Sequence, residues 1–119
     1  MDLAKITATV RADEGSPVPV EMEFLVDPDA PISLVPGKVL DDLGVAPSGK
    51  ETVELGGGAK AVRRVARVYF RVLGRGAYAK AAWGEAGEKP RLGHETMQAC
   101  GLAIDPVAQV VRAPRPSGE

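Results

Sequence analysis

Residues Phe24–Pro36, FLVDPDAPISLVP, decide how the rest of this chain is read. An apolar run ends in a carboxylate, Asp27. A turn of proline and aspartate follows, and a second apolar run, Ile32 to Val35, leaves it. A junction between two buried segments is an unusual place for an acid whose only task is to be solvated. Asp also favours turns through hydrogen bonds to its own backbone. The surrounding segments must therefore decide between a functional acid and a turn former.

Upstream, residues 4–11 alternate, with Ile6, Ala8 and Val10 on one face and Lys5, Thr7, Thr9 and Arg11 on the other. That is the pattern of a half-buried strand. Asp13-Glu14-Gly15-Ser16-Pro17 is a turn cluster. A second alternating run, Val18, Val20, Met22, Phe24 and Val26, completes a hairpin whose outgoing strand delivers Asp27.

Downstream, Ile32 to Val35 predicts a short strand. Pro36 to Leu43 predicts a small helix, with proline in its first turn and Gly44 just past its end. Val45 to Lys50 reads as a connection. Thr52 to Leu55 and Lys60 to Leu73 read as strands around the glycine tip Gly56-Gly57-Gly58. In the long strand Val62, Ala66, Val68, Phe70 and Val72 share a face, interrupted by Arg64. Gly74-Arg75-Gly76 reads as a tight turn into a strand over Ala77 to Trp83. His94 to Cys100 predicts a second short helix closed by Gly101. Leu102 to Asp105 and Val107 to Arg112 predict a closing strand pair that turns near Asp105-Pro106. The sum is seven or eight short strands with two short helices, an all-β sandwich or small barrel.

With 119 residues the chain predicts one domain, residues 1–112, and a frayed tail over 113–119. Residues of the hydrophobic class make up 45% and aromatics only 4%, so Val, Leu, Ile and Ala must fill the core. Fifteen Lys and Arg against sixteen Asp and Glu leave a net charge of -1, which supplies no global field toward nucleic acid or membrane. No apolar run approaches the roughly 18 residues of a membrane helix, and the N-terminus lacks a signal-peptide pattern. A cytoplasmic protein with no membrane partner is expected. The single cysteine, Cys100, cannot form an intrachain disulfide and reads as a small core residue.

The order of these parts resembles the retropepsin-like aspartic proteases, in particular their small single-domain bacterial and archaeal forms. The resemblance spans about residues 4–112. It rests on the hairpin entering Asp27, on Ile32-Ser33-Leu34-Val35-Pro36 with the helix up to Gly44, and on the Gly56–Gly58 tip. Arg91-Leu92-Gly93 with the following helix, and then Gly101-Leu102-Ala103-Ile104-Asp105-Pro106, complete it. It implies a small closed β barrel with one or two short helices, Asp27 as the catalytic acid, and Pro28, Asp29 and Ala30 as the active-site loop. It also implies Gly56, Gly57 and Gly58 as a flap over an extended peptide.

The chain departs from that family at the motif itself. The family's Asp-Thr/Ser-Gly-Ala is here Asp27-Pro28-Asp29-Ala30, without the hydroxyl and without the glycine. Arg91 stands where an aliphatic residue is usual, and His94 where arginine often follows Leu-Gly.

Aspartic-protease chemistry needs two close carboxylates that share a proton and a water, one acting as base and the other as acid. With one Asp motif and no repeated half, two copies of Asp27 can meet only across a two-fold axis, so a homodimer is expected. Asp29 would bring four carboxylates to that axis, a set whose repulsion splays the loops or calls for an oxygen-bound cation such as Mg2+ or Ca2+. No metal and no cofactor are assigned.

The expected function is an aspartic peptidase domain acting on extended peptides, impaired by the altered motif. The alternative is a pseudo-protease that holds a peptide in the same cleft. A third reading is a nucleic-acid-binding barrel, carried by Lys60, Arg63, Arg64, Arg67, Arg71, Arg75 and Lys80, which form a run without acids. A solvated barrel face is the favoured account of that stripe, so nucleic acid is not an expected partner. Ser33 reads as a satisfied buried hydroxyl, and His94, the lone histidine, as a surface or capping residue.

Overall fold

A computed structural model describes residues 4–56, 58–105 and 110–112. Its strands are β1 (Lys5–Arg11), β2 (Val20–Val26), β3 (Ser33–Pro36), β4 (Gly49–Gly56), β5 (Ala59–Val72), β6 (Arg75–Gly84), β7 (Arg91–Leu92), β8 (Ala103–Asp105) and β9 (Val110–Arg112). Two six-residue helices, α1 (Gly37–Asp42) and α2 (His94–Ala99), complete the described residues.

Seven strands hydrogen-bond in the order β1-β2-β7-β3-β6-β5-β4, and β1 also pairs with β5. That extra pairing closes β1, β2, β7, β3, β6 and β5 into a ring, so the protein is an all-β barrel. The length of β5 makes closure possible. One stretch of its edge, Ala59 to Val65, pairs with β4, and a later stretch, Tyr69 to Val72, pairs with β1. β4 therefore hangs off the ring as the outer arm of a hairpin. Residues β8 and β9 form a separate antiparallel pair.

The predicted alternation sets the interior. Ala8 and Val10 of β1, Phe24 and Val26 of β2, and Ala66, Val68, Phe70 and Val72 of β5 are buried in one cluster with Val35, Leu40 and Leu92. Phe24 and Phe70 meet edge to face with centroids 6.3 Å apart, a favoured arrangement of ring quadrupoles. A second, smaller cluster of Leu34, Val53, Val65 and Ala82 lies under the β4–β5 hairpin.

Three expectations need correction. Val62, placed with the buried face of β5, is 64% exposed, because there β5 has left the ring for the hairpin. The β5–β6 turn is Leu73-Gly74, with Val72 opposite Arg75, so Arg75 and Gly76 already belong to β6. Both turn residues have positive φ, 51° and 77°, the two-residue geometry that matches the right-handed twist of a hairpin. Strand β4 begins at Gly49, earlier than the apolar pattern implied. The Asp105-Pro106 turn, the start of the last strand and the 113–119 tail lie outside the described residues.

Candidate functional site

Asp27 sits directly after β2, and what surrounds it follows from β7. The two-residue β7 runs parallel to β2, with Leu25 opposite Arg91 and Val26 opposite Leu92. Side chains on a strand alternate faces, so Asp27 and Leu25 point the same way, toward the face that Arg91 occupies. Arg91 Nη1 donates to Asp27 Oδ2 at 2.9 Å. The pair is largely shielded, the Arg91 side chain being 22% exposed and that of Asp27 12%. The other carboxylate oxygen, Oδ1, accepts the Asp29 N–H at 3.1 Å. Asp27 O accepts the Ala30 N–H at 3.2 Å, which closes the loop as a turn. Both carboxylate oxygens are thus engaged within the subunit.

The loop is held from below by α2. A helix leaves its first backbone N–H groups without partners in its own body. Here His94 N donates to Ala30 O at 2.8 Å and Glu95 N to Pro31 O at 3.0 Å, so the Asp27 loop caps the helix. Gly93 must be glycine at this crossing, because a Cβ would lie 2.5 Å from the Ile32 carbonyl carbon. Ser33, fully buried, accepts the Gly93 N–H through Oγ at 2.9 Å and shares a 2.5 Å hydrogen bond with Thr96 Oγ1. It is a satisfied buried hydroxyl, as its apolar neighbours implied. His94 is exposed at the start of α2.

Pro28 and Asp29 are exposed at the tip of the loop, and Ala30 is buried beneath it. Gly56 and Gly58 flank the tip of the β4–β5 hairpin, Gly58 with φ 82°; Gly57 lies outside the described residues. A groove of about 300 Å3 separates Pro31 and Ile32 of the Asp27 loop from Val53 and Glu54 of β4 and Lys60 of β5. Among the described residues, no three His, Cys, Asp or Glu side chains gather in a metal-binding group. No described helix is long and apolar enough to cross a membrane.

No family model matches the chain, and no curated protein matches it. Solved structures do. The foamy viral protease-reverse transcriptase in complex with an RNA/DNA hybrid superposes with a TM-score of 0.59 at 18% identity, over 81% of this chain. This chain spans only 12% of that one. The solution structure of simian foamy virus (mac) protease superposes with a TM-score of 0.55 at 19% identity, over 80% of this chain and 92% of the viral one. The fold is that of the retropepsin-like aspartic proteases.

On this retropepsin-like fold the basic stripe of β5 and β6 is broken up. Arg63 is buried at 9% exposure and grips Glu88 with both terminal nitrogens, at 2.7 and 2.9 Å, and Trp83 O at 3.0 Å. It is no part of a solvated face, which corrects its place in the stripe. Lys80 pairs with Glu51 at 2.5 Å, and Arg75 reaches the carbonyls of Cys100 and Gly101. Cys100 is buried in the core, and desolvation pushes its thiol above the ordinary value.

Sequence reasoning noted Arg91 only as a departure from the aliphatic norm and did not join it to Asp27. The joining depends on a parallel pairing between residues 64 apart. The co-occurrence of two departures, an extra acid in the loop and a base beside Leu92-Gly93, was the available signal.

Proposed function

We propose that two copies of this chain form a retropepsin-like homodimer that holds an extended peptide without cutting it. The observation that carries this reading is the 2.9 Å ion pair between Arg91 and Asp27. Aspartic-protease catalysis needs carboxylate oxygens available to a water and to a shared proton. Here Oδ2 accepts from Arg91 and Oδ1 from Asp29. A guanidinium on each acid also offsets the negative charge that two such acids would bring to the axis. The counter-charge that a four-carboxylate loop pair calls for then comes from the chain itself, without a metal ion.

The peptide-holding half of the proposal rests on the groove and on β4. Among the described residues β4 pairs only with β5, so its outer edge keeps unpaired N–H and C=O groups. Such an edge takes up an extended chain by backbone pairing. Gly56 to Gly58 would close over that chain as a flap.

The second reading is an aspartic peptidase that works as the same homodimer. The fold and the position of Asp27 at the end of β2 favour it, but it requires Arg91 to leave Asp27 when the subunits pair. Incubation with a mixed peptide library at acidic pH separates the two. Bound but uncut peptides are expected; cleavage that disappears in Asp27→Asn overturns the non-catalytic reading. Small-angle scattering tests the dimer, and a monomer at all concentrations removes both readings.

A further inference from the structure

A basic hollow opens between α1, the base of the β4–β5 hairpin and the end of β6. It holds about 600 Å3, and none of its lining residues belongs to the Asp27 loop. Four cations line it: Lys38 on α1, Lys50 on β4, and Arg63 and Arg64 on β5, of which Arg63 is held by Glu88. Lys50 and Arg64 stand directly opposite each other across the β4–β5 pair, where like charges repel. Two carboxylates, Asp41 and Glu85, also line the hollow, and both keep their charge. Asp41 Oδ1 accepts the Trp83 indole N–H at 2.9 Å, and Glu85 lies 3.7 Å from the buried Arg63. Among the described residues no carboxylate lies within ion-pair distance of Lys38, Lys50 or Arg64.

The geometry also orients one of these cations. The Arg64 guanidinium lies 5.1 Å from the Trp83 ring centroid. Attraction to the ring face fixes its plane and lowers the entropy lost when a ligand binds. The base of the hollow is rigid as well, since Arg63 ties Trp83 O to Glu88.

We propose that this hollow binds a small phosphate-bearing anion of two or more negative charges. The planar Arg64 fork matches the oxygens of a phosphate two at a time, and the two lysines act as point charges around it. A multivalent anion is specified because Lys38, Lys50 and Arg64 are exposed, and salt screens a single exposed charge pair almost completely. Occupancy would tie the hairpin that carries Lys50 and Arg64 to α1, which carries Lys38.

Trp83 is the only tryptophan in the chain and lines this hollow, so its emission can follow occupancy there. The whole chain would be titrated with inorganic pyrophosphate at low ionic strength, with sodium chloride of equal ionic strength as the blank and citrate as the carboxylate comparison. A saturable change in Trp83 emission is expected, weakening steeply as salt is added. Lys50→Gln, which leaves the stacked arginine in place, should weaken binding several-fold by emission and by calorimetry. Arg64→Gln should weaken it at least tenfold by calorimetry. Arg71→Gln, at an exposed arginine outside the lining of the hollow, should leave it unchanged. No saturable response, a response that chloride reproduces, or full binding in Lys50→Gln overturns the site. Citrate binding as tightly as pyrophosphate overturns its assignment to phosphate.

Discussion

Arg63–Glu88 and Arg91–Asp27 join the same two kinds of group, one on each side of the loop into β7, yet they are built differently. Arg63 makes two hydrogen bonds to Glu88 and a third to a backbone carbonyl, and Glu88 also accepts the Glu85 N–H at 2.7 Å. Arg91 makes a single hydrogen bond to Asp27. The first pair is a network that fixes the shape of a loop. The second is one contact laid across the acid on which the retropepsin-like chemistry would depend. Burial alone does not separate them, since Arg63 is the more buried base and Asp27 the more buried acid. Connectivity does, because a group with several partners leaves several unsatisfied when it is removed.

The largest effect expected from this contrast is at Arg63. Arg63→Ala strands Glu88 and the Trp83 carbonyl, and should cost about 3 kcal/mol of stability, read as a lower urea midpoint at unchanged slope. A cost below about 1 kcal/mol would mean that water replaces the guanidinium, and the contrast would break.

The same pair predicts an acid limb. Its hydrogen bond to Arg63 holds Glu88 below the ordinary value of 4.5, against the opposing effect of burial. As pH falls, the unfolded chain protonates this carboxyl before the folded chain does. The stabilisation is therefore whole above the ordinary value and is lost as pH falls through the lowered one. Arg63 is shifted upward from its ordinary value, mainly by the same hydrogen bond, so its share persists through neutral pH. Urea midpoints measured across the acid range should fall less steeply in Glu88→Gln than in the native chain.

A smaller effect is expected at Arg91. Arg91→Ala leaves Asp27 its bond from Asp29, so the cost should be about 1–2 kcal/mol by the same measurement. An equal or greater loss than at Arg63 would show that the two pairs do the same work. The smallest effect belongs to Lys5–Glu23, a pair at 4.0 Å with both side chains more than half exposed. Lys5→Ala should change stability by less than about 0.5 kcal/mol, which sets the baseline for the other two.

Much of the fold was legible because its information is local. Alternation in residues 4–11 and 18–26 gave the first hairpin, and the proline and glycine around residues 36–44 gave α1. Gly101 gave the close of the second helix. The misplacement of Val62 and Arg63 has one cause. Period-2 alternation assigns faces along a strand, but it does not say where β5 passes from the ring into the hairpin. Beyond that point the same face meets a different neighbour, so Val62 is exposed and Arg63 is covered by the 85–90 loop. The site divided in the same way. Asp27 and its turn could be read from residues 24–36, whereas its partner could not.

By itself the sequence determined a chain of short alternating strands, a lone acid at a strand end, and a motif altered at Pro28 and Asp29. Those properties follow from side-chain type and near spacing. Only the tertiary structure decided that β1 closes on β5, that α2 is capped by the Asp27 loop, and that Arg91 lies on Asp27. Each depends on contacts between residues far apart in the chain, where strand register, not local preference, sets which side chains meet.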